Sequence, residues 1–242
     1  MPGATPRHGL ARALSKRGVC SRTQATEWIR AGRVRVDGRI ERDPEFPTIA
    51  GRHRITVDDQ PLDAATPLYL VLNKPRGLVT TARDEHDRDT VYQCFEHAGL
   101  PWMAPVGRLD KASEGLLLFS NDPAWAARIT DPATGPDKRY HVQVNRRPDD
   151  DTLAAFVDGI ESDGEHLHAK SVDVLRAGDR NAWLDIVLDE GRNRQIRRLL
   201  HAFDFEVLRL VRVAIGSLEL GDLAKGAWRP LTDAEVAALH GD

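Results

Sequence analysis

Three short segments carry side chains whose types and spacing suit chemistry on a polyanion. The first is Pro105-Val-Gly-Arg108-Leu109-Asp110-Lys111-Ala-Ser113-Glu114-Gly115, which runs into an apolar stretch and then Asn121-Asp122. One carboxylate, Asp110, stands between two cations, Arg108 and Lys111. Neighbouring positive charge favours the ionised carboxylate that a nucleophile requires. The same spacing also suits a loop salt bridge or a turn cap. The second segment, Lys138-Arg139-Tyr140-His141-Val142, sets an aromatic ring among basic residues. Such a ring can stack on a nucleobase, or it can be an ordinary core tyrosine of a strand. The third is Asp189-Glu-Gly-Arg192-Asn-Arg194-Gln195-Ile196-Arg197-Arg198-Leu-Leu. Helical spacing gathers Arg194, Arg197 and Arg198 on one flank and turns Ile196, Leu199 and Leu200 inward. A basic surface helix is the plainer account of it.

Periodicity supplies the elements that must position these segments. Strand patterns fall at residues 68–72, 116–120, 183–188 and 207–215, and at the alternating Tyr140, Val142 and Val144. Helices are predicted from Asp122-Pro123 to about Ile129, from Pro148 to about Val157, and over residues 194–202. Strands and helices do not alternate regularly. No Gly-x-Gly-x-x-Gly and no Gly-x-x-x-x-Gly-Lys-Ser/Thr loop occurs, which disfavours a doubly wound nucleotide-binding fold. The pattern predicts an α+β protein: a small N-terminal α+β domain over residues 1–65, then a mixed α+β domain over residues 66–242. The Pro- and Ala-rich joint Gln60-Pro-Leu-Asp-Ala-Ala-Thr-Pro67 separates them.

The N-terminal part reads as two short helices and a hairpin. Leu10, Ala11, Ala13 and Leu14 recur at helical spacing up to Gly18, and Ser21-Arg-Thr-Gln24 has capping-box spacing for a second helix that stops near Gly32. Val34 and Val36 alternate as strand residues before Asp37-Gly38, a strong two-residue hairpin turn. A further strand is expected over residues 54–57.

The charge of the chain is segregated. The 242 residues carry 34 Lys and Arg against 37 Asp and Glu, a formal net charge of -3. Taken whole, that argues against nucleic acid as a partner. Residues 7–42, however, hold ten basic and three acidic side chains, and residues 191–212 hold six and two. Two basic blocks in an acidic remainder mark a polyanion partner. Phosphate contacts are expected from Arg12, Arg17, Arg22, Arg33, Arg35 and Arg39 in the first block.

Several classes are excluded. At 41% hydrophobic residues the chain can build a core. No apolar run approaches the roughly 18–20 residues of a membrane helix. Cys20 and Cys94 are far apart and form no zinc or disulfide framework. With no apolar signal core in the first residues, a soluble cytoplasmic protein is expected, with monomer as the default state.

Gly107-Arg108-Leu109-Asp110, Lys138-Arg-Tyr140-His-Val142 and Gly191-Arg-Asn-Arg-Gln195-Ile196-Arg197-Arg198, in that order, resemble the motifs of RNA pseudouridine synthases, closest to the RsuA/RluB/RluE/RluF group that modifies ribosomal RNA. Asn73-Lys-Pro-Arg-Gly77 matches that group too, and the basic N-terminal segment resembles the S-four-type RNA-binding module that often precedes such enzymes. The resemblance runs from about Leu10 to about Pro230. Ser113 stands where the group often has Thr, which keeps the hydroxyl. The resemblance implies a largely antiparallel sheet in the domain over residues 66–242, and an isomerase acting on ribosomal RNA. It implies Asp110 as nucleophile, Arg197 as the partner that holds its carboxylate, and Tyr140 as the ring stacked on the target base. It also implies RNA contacts from Arg108, Lys138, Arg192, Arg194 and Arg198. No redox, metal or nucleotide cofactor is implied. Residues 208–216, with residues 192–198, are similar to the RluE-like branch, which implies large-subunit rRNA.

Two other classes of function compete. A non-catalytic RNA-binding protein would lack Asp110, Tyr140 or Arg197, and all three are present. A metal-dependent nuclease could use Asp84, Glu85, His86, Asp87 and Asp89, but that cluster has no apolar frame and reads as a solvated loop. His166-x-His168 likewise lies among polar residues, as in an exposed turn.

Overall fold

Leu10, Ala11 and Leu14 recur on one face of α1 (Leu10–Lys16), which follows the short strand β1 (Arg7–Gly9). Ser21 caps α2 (Arg22–Arg30) by accepting a hydrogen bond from the Gln24 amide at 3.0 Å. The chain then forms β2 (Val34–Val36), β3 (Arg39–Ile40), β4 (Pro47–Ile49), β5 (Ile55–Val57) and β6 (Gln60–Pro61). Asp37 and Gly38 turn β2 into β3 with φ of 49° and 82°, as a primed hairpin turn demands. The sheet order is β3-β2-β5-β6, and β1 pairs separately with β4. Leu10, Leu14, Cys20, Ala25, Ile29, Val34, Val36 and Ile55 close the core of this unit.

The computed structural model describes residues 7–49, 52–62, 65–81 and 88–239. The chain divides into two compact units. One is Met1–Leu68 with Ala98–Ala104 and Ser120–Ala124; the other is Tyr69–His97 with Pro105–Phe119 and Trp125–Asp242. Among the described residues, no helix is long and apolar enough to cross a membrane.

The larger unit is organised on one sheet. Its elements in chain order are β7 (Tyr69–Lys74), a 3-10 turn (Val91–Phe95), β8 (Ala104–Val106), β9 (Glu114–Ser120), α3 (Pro123–Thr130), β10 (Lys138–Val144) and α4 (Asp150–Asp158). There follow β11 (Ile160–Ser162), β12 (Glu165–Leu167), β13 (Ser171–Ala177), β14 (Ala182–Leu188), α5 (Gln195–Ala202), β15 (Val207–Ile215), β16 (Leu218–Glu219), β17 (Trp228–Pro230) and α6 (Asp233–Ala238). Strand order is β13-β14-β10-β15-β9-β7-β17, with β16 on β15 and β8 on β9. The sheet is mostly antiparallel, with a parallel step where β15 meets β9. This is the α+β class that the pattern of elements predicts. Val71, Leu116, Leu118, Trp125, Ile129 and Ile215 fill the core beneath it.

Three differences from the sequence reading matter for the site. Strand β7 extends past Leu72 to Lys74, so a lysine ends a buried strand. Helix α5 starts at Gln195, and Arg194 caps it in the left-handed conformation with φ 50°. The third is β13 with the β11–β12 hairpin, which the sequence left unassigned. Its turn residues Asp163 and Gly164, with φ of 53° and 76°, lie between Glu161 and His166, which are in hydrogen-bond contact.

Candidate active site

The loop 107–113 joins β8 to β9 and carries Asp110. Five consecutive carbonyls of this loop accept hydrogen bonds. The Thr80 hydroxyl donates to Leu109 O at 2.7 Å, and the Lys74 ammonium donates to Asp110 O at 3.1 Å and Ser113 O at 2.8 Å. The Gly77 amide donates to Lys111 O at 2.8 Å, and Arg197 Nη2 to Ala112 O at 3.3 Å. A surface loop rarely satisfies its backbone so fully from within the protein. The result is a carboxylate on a preorganised support. Lys74 is itself fully buried. Burial pushes its ammonium down to about 8, against the opposing pull of Asp110 and Glu114.

Strand β9 starts with Glu114, 4% exposed, held by Arg209 at 2.8 Å and by Lys225. Gly115, next in the strand, has φ +101°, and a Cβ there would lie 2.2 Å from the carbonyl oxygen of Arg212. Only glycine permits β9 to approach β15 at this point.

Asp110 is 30% exposed and lines a cavity of about 660 Å³. Arg108, Lys138, Tyr140, Arg192, Arg194, Arg197 and Arg212 line the same cavity. Among the described residues the nearest cation to the carboxylate is Arg194, whose Nη1 stands 3.8 Å from Asp110 Oδ2. The sequence reading expects Arg197 in that place. Instead the Arg197 guanidinium is taken by main-chain carbonyls, Val207 O at 3.3 Å and Ala112 O at 3.3 Å, and so grips the Asp110 loop through its backbone. Burial first, then Arg194, lowers the pKa of Arg197, while Asp110 acts in the opposite sense. Arg194 itself holds a left-handed backbone, φ 50°, uncommon for a residue other than glycine.

Tyr140 lies on β10, 8% exposed, opposite Arg212 of β15. It faces the cavity with Lys138, two residues earlier on the same face. Asp110, Tyr140 and Arg197 therefore come together around one cavity, as do Arg108, Lys138, Arg192 and Arg194.

The remaining candidate RNA contacts divide into two groups. Arg12, Arg22 and Arg39 are exposed and have no ion-pair partner among the described residues. Others are engaged by the fold. Arg33 is bidentate to Asp58 and Arg35 reaches Asp59 at 2.7 Å, both acids lying outside the basic stretch. Arg17 donates to Leu62 O at 3.4 Å. Arg192 pairs with Glu190 at 2.8 Å, and Arg198 holds the β11–β12 hairpin through Glu165, Asp163 and Ser162 O.

Sequence reasoning passed over Lys74, Thr80, Gln195 and Arg212. Lys74 was signalled by its phase with Leu70 and Leu72 on a buried strand. Gln195, 2% exposed, ties its loop together by accepting from the Arg192 amide and donating to Glu190 and His168 O. Of the nuclease candidates, Asp84, Glu85, His86 and Asp87 lie outside the described residues, and Asp89 accepts from Gln93 at 2.7 Å.

Comparison with known proteins gives a consistent result. Residues 68–202 match the family model described as RNA pseudouridylate synthase, and residues 9–47 match the S4 domain. An uncharacterized RNA pseudouridine synthase of Aquifex aeolicus is 35% identical over 228 residues, covering 93% of this chain and 91% of its own. The ribosomal large subunit pseudouridine synthase B of Bacillus subtilis is 33% identical over 234 residues, covering 96% and 95%. A crystal structure described as a pseudouridylate synthase superposes with a TM-score of 0.65 at 32% identity, over 96% of this chain and 99% of that one.

Proposed function

Because the chain belongs to the RNA pseudouridine synthase family, and is therefore an isomerase, we propose that it converts one specific uridine of large-subunit ribosomal RNA into pseudouridine, with Asp110 as the nucleophile. The observation that carries this reading is Asp110 itself: a partly exposed carboxylate, on a loop with five pinned carbonyls, lining one cavity with Tyr140. The similarity to a large-subunit synthase supports the choice of RNA.

The reaction detaches uracil from C1′ of its ribose, turns it, and rejoins it through C5. Uridine and pseudouridine are isomers, so nothing is consumed. Attack by the Asp110 carboxylate divides one hard step into easier ones. The target uridine leaves its stack to reach the cavity, at a cost of about a few kcal/mol. Tyr140 stacks on the extruded base, and its hydroxyl assists loss of the C5 proton. The N-terminal domain, over residues 1–65, supplies phosphate contacts that offset the cost of extrusion, with the catalytic domain over residues 66–242.

Mapping pseudouridine in ribosomal RNA from cells with and without this protein tests the proposal. Loss of one large-subunit site is expected. Loss at a small-subunit site would reassign the target, and an unchanged map would overturn the proposal.

A further inference from the structure

Two cations of the cavity have no role in the reaction described above. Arg212 is 5% exposed, and its Nε donates to Leu116 O at 2.8 Å, which fixes the guanidinium beside the parallel step between β15 and β9. Its Nη2 is buried and without a hydrogen-bond partner. Lys138 lines the same cavity and makes no hydrogen bond or ion pair among the described residues. The two are close enough that Arg212 helps to lower the pKa of Lys138, second to burial, against Asp137 and Asp189. A buried donor without a partner is costly to the fold, and because Arg212 lines the cavity, an acceptor bound there would satisfy it.

Geometry identifies the acceptor. Arg212 is directly across from Tyr140 in the β10–β15 ladder. Cross-strand neighbours have Cβ atoms about 4.5–5.5 Å apart on the same face. A base stacked on the Tyr140 ring would thus present its edge to Arg212. Arginine offers donors only, and uracil presents carbonyl oxygens at that edge. The depth of Arg212 also favours the base over the RNA backbone, whose phosphates belong at the exposed rim with Arg108 and Arg194.

We infer that Arg212, assisted by Lys138, binds a carbonyl oxygen of the extruded uracil and carries the negative charge that the ring acquires when it leaves C1′. The inference rests on the synthase reading of the site. As the Asp110 carboxylate forms a bond to C1′, the C1′–N1 bond breaks and its electron pair passes into the ring and spreads over N1, O2 and O4. Arg212 holds the charged oxygen as the ring turns. When C5 joins C1′, that pair forms the new bond and the C1′–Asp110 bond breaks, which returns the free carboxylate. The C5 proton is then lost and N1 gains one, so the product is an isomer and no co-reactant is needed. The arrangement is an oxyanion site for a leaving group, preorganised in a cavity away from bulk water.

Single-turnover conversion and RNA affinity of the full chain test the inference, with ribosomal RNA bearing the target uridine. Arg212→Gln should slow conversion by about 100-fold, the scale of one lost oxyanion donor, with Kd and its salt dependence unchanged. Arg212→Lys should recover part of that rate. Conversion at the wild-type rate would overturn the inference. So would a loss that follows weaker binding with a shallower salt slope, since that is the signature of a phosphate contact. Should Arg212→Gln not fold, Lys138→Gln decides: a rate lower by about tenfold at unchanged Kd is expected, and an unchanged rate overturns. Wild-type protein that forms no pseudouridine would instead remove the synthase reading, and this inference with it.

Discussion

The Lys74 ammonium, fully buried at the end of β7, donates to the main-chain carbonyl of Asp110 at 3.1 Å and to that of Ser113 at 2.8 Å. It also reaches Pro75 O at 3.2 Å, so all three of its donors are used inside the protein. Its task is to hold the loop, since no interaction to the Asp110 carboxylate replaces these. Lys74→Met keeps the volume and leaves the carbonyls of Pro75 and Ser113 unpaired, while Asp110 O keeps the Ser113 amide. It should cost about 2 kcal/mol, at roughly 1 kcal/mol or more per abandoned acceptor. It should also slow conversion by more than tenfold while RNA affinity holds. Urea midpoints and single-turnover rates measure both, and a variant equal to wild type in the two would remove the assignment.

Asp110→Asn changes one oxygen to an amide and leaves the carbonyl of residue 110 on Lys74. The loop should keep its shape, because its supports are main-chain bonds. Product formation should vanish while RNA Kd changes by less than about threefold, the pattern of a group needed in the transition state. Turnover above about one hundredth of wild type, against the factor expected of a lost nucleophile, would exclude Asp110 from that role.

Tyr140→Phe separates stacking from proton transfer. The ring is 8% exposed and packed on β10, so phenylalanine should occupy the same place. Affinity should be kept and the chemical step slowed by about 100-fold, the lower range for a lost acid–base group. A wild-type rate would leave Tyr140 as a stacking platform alone.

The parts of this architecture that follow from local rules were legible in the sequence. The Asp37-Gly38 turn, the Ser21 cap and the alternation of Tyr140, Val142 and Val144 each depend on neighbours along the chain, and each stands where it was expected. Asp110, Tyr140 and Arg197 could be singled out as candidates because they sit in short, distinctive segments, and all three line one cavity. Which cation faces the carboxylate was not legible. Arg194 takes that position just ahead of α5, while Arg197 is claimed by the carbonyls of residues 207 and 112. The same limit applies to Arg33 and Arg35, whose charges are met by Asp58 and Asp59 across a sheet. Charge counting within a window cannot see such partners. Arg212 could be read in the sequence only as one of the basic residues of 191–212, because its place opposite Tyr140 depends on the pairing of β10 with β15.

Glu114 couples the start of β9 to acidity. Hydrogen bonds from Arg209, and then from Lys225, bring its pKa down to about 2 against the opposing effect of burial. Its folded value is below the ordinary 4.5, so its stabilisation is complete above that value and is lost as pH falls towards 2. Glu114→Gln should lower stability at pH 7 by about 2 kcal/mol, less than the full shift because the two cations can rehydrate. The gap between variant and wild type should close between pH 4.5 and 2. Urea titrations across that range provide the test, and a gap that stays constant with pH would show that the ion pairs are not its source.

Salt dependence of RNA binding can sort the N-terminal arginines by their surroundings. Arg12, Arg22 and Arg39 are exposed and without ion-pair partners among the described residues, whereas Arg33 and Arg35 are neutralised in place by Asp58 and Asp59. An arginine that reaches a phosphate releases a counterion. One already paired with a carboxylate must first give up that partner, so its net contribution is smaller. Replacing Arg12, Arg22 or Arg39 by alanine should therefore reduce the log–log salt slope by about 0.7–0.9 for every phosphate no longer engaged. Replacing Arg33 or Arg35 should change the slope less, and should cost stability through Asp58 or Asp59 left without its partner. Equal slopes for all five variants would mean that the exposed arginines of this unit do not touch the RNA backbone. A larger effect at Arg33 than at Arg22 would mean that the Asp58 pair opens on binding.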